Sequence, residues 1–300
     1  MALAVTSLSA AMRLTKAGIG CADMAACAQA VAAQSAARSA TAESAAMHTA
    51  RLAHRVIASS VLALLLVMLV LCWRSGLRDG TQAVLVLLGV TLFLAVLGRW
   101  SGGSPVPAVA LGNLLGGFVL FALSLRLALV SRLAPLAPRW RRWAAAATVV
   151  LLAQVALGAL VSATHAGLGC NDGADCGLST VLDDADWRTL DPRREPALNH
   201  AVAGSTDAAL ANSLHRHGAL LVMLMLLPPA WAAWRAGRVG SAVALLVLLG
   251  IQIAGGRAAA DFALPLPLVL LHNASGAALL AVLILLPGAP PARGNPRAAD

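Results

Sequence analysis

Residues 166–176 read AGLGCNDGADC, and they echo an earlier stretch, residues 17–27, AGIGCADMAAC. Each sets a cysteine pair of identical spacing behind the same Ala-Gly-aliphatic-Gly turn. Two unrelated loops rarely agree this closely, so the echo points to an internally duplicated chain. The residues downstream of each pair decide what was duplicated. After the first comes RLAHRVIASSVLALLLV (51–67); after the second comes NSLHRHGALLVMLML (212–226). Both put a His-Arg dipeptide at the mouth of an apolar helix, His54-Arg55 and His215-Arg216. Further on, PVPAVALGNLLGG (105–117) matches PLPLVLLHNASGA (265–277). The chain divides into two halves, 1–130 and 131–300, each of four helices.

Composition says what kind of helices these are. The sequence is 59% hydrophobic and 12% charged, with a mean hydropathy of +0.80. The apolar residues come in runs about as long as a bilayer is thick, at 56–73, 83–97, 106–125, 143–162, 214–233, 239–254 and 264–286. An eighth, MALAVTSLSAAM, precedes Arg13 and is too short to span. It reads as a truncated first helix, since it has no basic segment ahead of it and no small-residue cleavage site of a signal peptide. The alternation of an outer-membrane barrel is absent. The fold class is therefore all-α transmembrane, two pseudo-symmetric four-helix bundles in a lipid bilayer, and each half is expected to carry a site.

A net charge of +9 raises nucleic acid as a partner, but its distribution excludes that reading. Arg126, Arg132, Arg139, Arg141 and Arg142 crowd one connection, and Arg74, Arg78, Arg235 and Arg238 mark two more. Residues 165–210 hold eight acids against three arginines. The arginine-rich side is expected in the cytoplasm, which puts both termini inside and both cysteine pairs outside. Outside is where disulfides persist. Cys21 with Cys27, and Cys170 with Cys176, are close enough in sequence to bridge. A redox-active dithiol is the competing reading, whereas the spacing does not fit structural zinc. Cys72, alone in an apolar run, reads as a small buried hydrophobe.

An ionisable residue in a bilayer costs a few kcal/mol, so a membrane histidine is a functional hypothesis by default. His215 lies near the outer end of its helix. His272 lies about 12 Å from the outer start of the last run, at about 1.5 Å per residue. Two neutral imidazoles facing each other across a bundle form an axial pair for haem iron. Ala274, Ser275, Gly276 and Ala277 leave room for a flat macrocycle, and Arg216, Arg257 and Arg55 sit at the level where propionates need cations. His217 faces the other side of its helix, while His48, His165 and His200 read as solvated loop residues.

VALGALVSATHAGLGC (155–170), LHRHGALLV (214–222), IQIAGG (251–256) and LPLPLVLLHNASGAALL (264–280) resemble the second half of the haem A synthase family. MRLTKAGIGCADMAAC (12–27), LAHR (52–55) and PAVALGNLLGG (107–117) are similar to its first half. The resemblance implies an oxidoreductase of the cell inner membrane, with haem b between His215 and His272 and substrate haem O beside His54. It implies oxidation of a porphyrin methyl to a formyl group for cytochrome oxidase assembly, with haem O synthase or oxidase assembly factors as partners.

The first half departs from that family. The expected partner of His54 falls on Gly112 or Asn113, neither a strong iron ligand, and Arg51 stands where the family carries a glutamate. No helix is expected to contain Asp or Glu, which leaves Asp23 and Glu43 as the nearest loop carboxylates. The rival reading is a catalytically impaired haem-binding paralogue serving as electron carrier, chaperone or assembly factor. A transporter would want polar residues or broken helices at mid-membrane.

Overall fold

A computed structural model describes residues 1–17, 45–100, 104, 106–130, 133–170, 176–183, 186–196 and 206–288. Among them the regular structure is helical, with no strand. The helices are α1 (Ala2–Ala17), α2 (Ala45–Arg74), α3 (Arg78–Trp100), α4 (Pro107–Leu129), α5 (Pro138–Ala163), the short α6 (Leu178–Asp183), α7 (Thr206–Arg235), α8 (Val239–Asp261) and α9 (Leu266–Leu285). Seven of these are long and apolar enough to cross a membrane, and α1 contributes a shorter apolar stretch, Ala2–Met12. This is a multi-pass membrane protein.

Most helices overrun the apolar runs that announce them, α2 and α7 by several residues. Hydrophobicity marks only the part in hydrocarbon, and a helix continues into the interface while its backbone is satisfied. Proline opens α4 and α5 at their first positions, where a missing N–H costs nothing. Pro228 and Pro229 lie inside α7, which the packing of a membrane bundle tolerates.

Packing repeats the sequence duplication. In the first half α1, α2, α3 and α4 each pack on the next, and α1 closes on α4. In the second, α5, α7, α8 and α9 do the same, and α9 closes on α5. The turns agree too. Trp73-Arg74-Ser75-Gly76 and Trp234-Arg235-Ala236-Gly237 both end with glycine in the left-handed region, at φ 66° and 74°. In each the next residue donates back to the helix, Leu77 N–H to the Cys72 carbonyl at 3.0 Å and Arg238 N–H to Ala233 at 2.8 Å.

The halves meet along α4, which packs on α9 and on α5, while α1 also reaches α9. Phe118 and Ala122 of α4 join the large buried cluster of the second half, with Leu245, Leu249, Leu279, Leu280 and Leu283. Leu120 joins the small cluster of the first half, with Leu65, Val84 and Leu87. Alanines thread the large cluster (Ala144, Ala147, Ala230, Ala233, Ala277), so backbones approach closely without needing a hydrophobic driving force in lipid.

Candidate functional site

His215 stands on α7 and His272 on α9, both toward the end of the second bundle where α5 ends and α9 begins. Their ring centres are 6.4 Å apart and their planes cross at 77°. An imidazole nitrogen binds a transition metal at about 2 Å and lies roughly 1 Å from its ring centre, so two rings sharing one ion stand about 6 Å apart. The observed spacing fits that demand.

Backbone design brings the rings this close. Gly158 of α5 lies under His215, and a Cβ there would come within 2.7 Å of His215 Cε1. Gly256 of α8 lies under His272, where a Cβ would stand 3.0 Å from Cε1. Four residues before each glycine is a glutamine. Gln154 Nε2 donates to the His215 carbonyl at 2.6 Å and lies 3.0 Å from His215 Nδ1. Gln252 Nε2 donates to the His272 carbonyl at 2.6 Å and to Ser275 Oγ at 2.6 Å. Each histidine is thus held by a neighbouring helix through its backbone, with a glycine making space for its ring.

The pair opens on a cavity of about 430 Å³, within the range of small-molecule and cofactor sites. Leu114, Phe118, Leu151, Val222 and Leu249 supply apolar wall, and Arg216 and Arg257 supply positive charge. Among the described residues two buried side-chain polar atoms lack a hydrogen-bond partner, Ser162 Oγ and His272 Nδ1, and both residues line this cavity. Buried polar atoms are normally satisfied, so two orphans in one cavity mark a place where polar contacts remain to be made. Imidazole pair, apolar slot, flanking cations and unspent polar atoms together fit a haem.

Part of the cavity rim is backbone under strain. The non-glycine residues with positive φ among those described are His165 (60°), Ala263 (56°) and Leu264 (61°), and His165 and Leu264 line the cavity. His165 therefore does not sit in an open loop as the sequence suggested. It terminates α5 and forms part of the wall, because a left-handed turn folds the chain back over the site. His48 likewise belongs to α2, where it is exposed. The expectation that carboxylates are absent from the helices holds only for the apolar runs. Asp79 opens α3, and Asp261 closes α8, accepting from Arg257 Nε at 2.8 Å beside the cavity.

The other sequence candidates are distributed around this pair. Cys170 and Cys176 are joined by a disulfide. The start of α7 grips their loop: Asn212 Nδ2 donates to the Ala166 and Gly167 carbonyls, Ser213 Oγ to Cys176, and Arg216 to Cys170. Cys21 and Cys27 lie outside the described residues, as do Asp23, Glu43 and His200. His217 Nδ1 donates to the Ser213 carbonyl at 2.8 Å, away from the pair. Arg55 is exposed on α2, and His54 is half-buried there and does not line this cavity. Gly112 faces α3, where a Cβ would meet Leu97 Cδ1 at 2.8 Å.

Sequence reasoning missed Gln154, Gln252, Gly158 and Gly256. The signal was there, a Gln-x-x-x-Gly run at 154–158 and again at 252–256, each ending just before an outer connection.

Fold and site together define a multi-pass helical membrane protein that sets an opposed imidazole pair inside one of two bundles. Residues 1–284 match the COX15-CtaA family, described as cytochrome oxidase assembly protein, and the chain belongs to that family. It is also similar to the heme A synthase of Shewanella oneidensis, 29% identical over 240 residues that cover 73% of this chain and 71% of that protein.

Proposed function

We propose that the chain is a haem A synthase-like oxidoreductase that converts haem O to haem A for cytochrome oxidase assembly. The observation that carries this reading is the facing of His215 and His272 across a cavity with largely apolar walls. Family membership and the relative's name support it. The second half, 131–300, takes haem b as a resident cofactor, and the first half, 1–130, takes haem O beside His54.

When bound between His215 and His272, haem b supplies a one-electron redox centre whose potential the protein tunes. The chain's own residues do the rest. His215 and His272 present neutral imidazoles, and Gly158 and Gly256 keep the space their rings need. Arg216 and Arg257 offer cations to the propionates, Arg216 from a position fixed by its hydrogen bond to the Cys170 carbonyl. Phe118, Leu151 and Leu249 exclude water from the slot. His54 would help hold the substrate by offering one imidazole to its iron. The arginine-rich connections place both termini in the cytoplasm and the disulfide loop on the outer face of the cell inner membrane.

Membranes expressing the chain, supplied with haem O and then extracted and chromatographed, should yield haem A. Haem b alone among the products would instead identify a haem-binding paralogue without synthase activity.

A further inference from the structure

The Gln-x-x-x-Gly repeat does not treat its two histidines alike. Gln252 reaches only backbone and hydroxyl, the His272 carbonyl and Ser275 Oγ, and His272 Nδ1 is left buried without a partner. Gln154 reaches the carbonyl and the ring, with Nε2 2.6 Å from His215 O and 3.0 Å from Nδ1. Its Oε1 rests against Gly218, where a Cβ would displace it. A nitrogen placed between a carbonyl and Nδ1 donates to both, so Nδ1 accepts here and the ring proton sits on Nε2. Iron binding through Nε2 reverses that demand, since Nδ1 must then carry the proton and seek an acceptor. A half turn of the same carboxamide delivers its oxygen to Nδ1, at the cost of the bond that Nε2 now makes to the His215 carbonyl. An amide, which carries both a donor and an acceptor, can therefore meet Nδ1 in either state.

We infer that Gln154 is the positioning residue that sets the electronic character of the haem ligand His215, while Gln252 only fixes where His272 stands. This rests on the haem-ligand reading above. The first half agrees with it. Counted from the shared Ala-Gly-aliphatic-Gly turn, Val5 stands at the position of Gln154. Leu94 faces Gly116 as Gln252 faces Gly276. Where the second histidine is missing, both glutamines are missing too.

The test is the reduction potential and haem affinity of purified, haem-loaded protein. An acceptor on Nδ1 raises ligand basicity and favours ferric iron. Gln154→Leu should therefore shift the potential upward, Gln154→Glu, which keeps an acceptor oxygen, should hold it at or below wild type, and Gln252→Leu should leave it in place. Both leucine variants should bind haem about tenfold to a hundredfold more weakly. A Gln154→Leu potential equal to wild type, or a Gln252→Leu shift as large as that of Gln154→Leu, overturns the assignment. Should Gln154→Leu not fold, a Gln154→Glu potential above wild type overturns it alone. If wild-type haem binding survives His215→Ala and His272→Ala together, the ligand reading has failed instead.

Discussion

The two halves share helix order, a closing turn and a cysteine-pair loop, yet they spend their interiors differently. Counted from the common Pro-x-Pro, Gly112 stands where the second half has His272, and Leu97 packs against it. Of the polar quartet Gln154, His215, Gln252 and His272, the first half keeps only a histidine, His54, with Val5, Leu94 and Gly112 at the other three positions. Burial differs at the extremes, 6% and 11% of the most apolar stretches of α2 and α3 against 33% and 39% of those of α7 and α9, while α4 and α8 are alike at 22%. Once a bundle no longer has to hold a buried polar group, aliphatic side chains fill its place, and its helices need make fewer contacts with one another. The difference teaches that the shared helix order holds with or without an opposed histidine pair, because what holds each bundle is the packing of small and aliphatic residues.

That comparison breaks most directly on the histidines. Purified protein should show a low-spin bis-imidazole haem spectrum that His215→Ala or His272→Ala abolishes and His54→Ala spares. The opposite pattern would reverse the assignment of the halves. The next largest effect is expected at the glycines. Gly158→Ala pushes on His215 and should weaken haem binding by about tenfold or more, judged by titration. Gly98, the first-half counterpart of Gly256, has nothing within 4 Å of a Cβ. Gly98→Ala should leave haem binding unchanged and add about 0.5–1 kcal/mol of stability.

Restoring the lost ligand sharpens the contrast further. Gly112→His should lower the melting temperature and yield no second low-spin haem, since Leu97 holds the space; a second low-spin signal would show that the halves remain interchangeable. Cys170→Ser should cost about 2 kcal/mol, the chain-entropy value for so short a loop, read from thermal unfolding with and without reductant. The smallest effect belongs to Asp191 and Arg193 in the connection between α6 and α7. The Arg193 side-chain hydrogen bonds hold the Asp191 carboxyl below its usual range, so what the pair contributes is present at neutral pH and lost as pH falls through that lowered value. The pair is open to water, and Arg193→Ala should leave the melting temperature unmoved at pH 7.

The helices were legible because lipid demands long apolar runs, and the duplication was legible because it repeats letters. His215 and His272 stood out because ionisable residues are rare in such runs. Gln154, Gln252 and the glycines beneath the rings did not, since a glutamine in a membrane helix names no partner until the neighbouring helix is known. The place of His165 in the cavity wall was hidden for a related reason: a left-handed turn is a property of φ, which histidine does not announce. Helix ends ran past expectation because hydropathy measures lipid contact and is blind to the hydrogen-bonded backbone beyond it.

The seam along α4 is riveted at both ends. Near its start, the Ala108 N–H donates to the Pro192 carbonyl of the second half's long loop at 2.7 Å. Near its finish, Arg126 donates to the carbonyls of Ile284 and Gly288. Those anchor points lie about 27 Å apart along the helix, close to the depth of the hydrocarbon. Hinging one bundle against the other would have to shear hydrogen bonds at both faces of the membrane at once. The two bundles are thus tied to one another at each end of α4, so a change that loosens one anchor leaves the other in place.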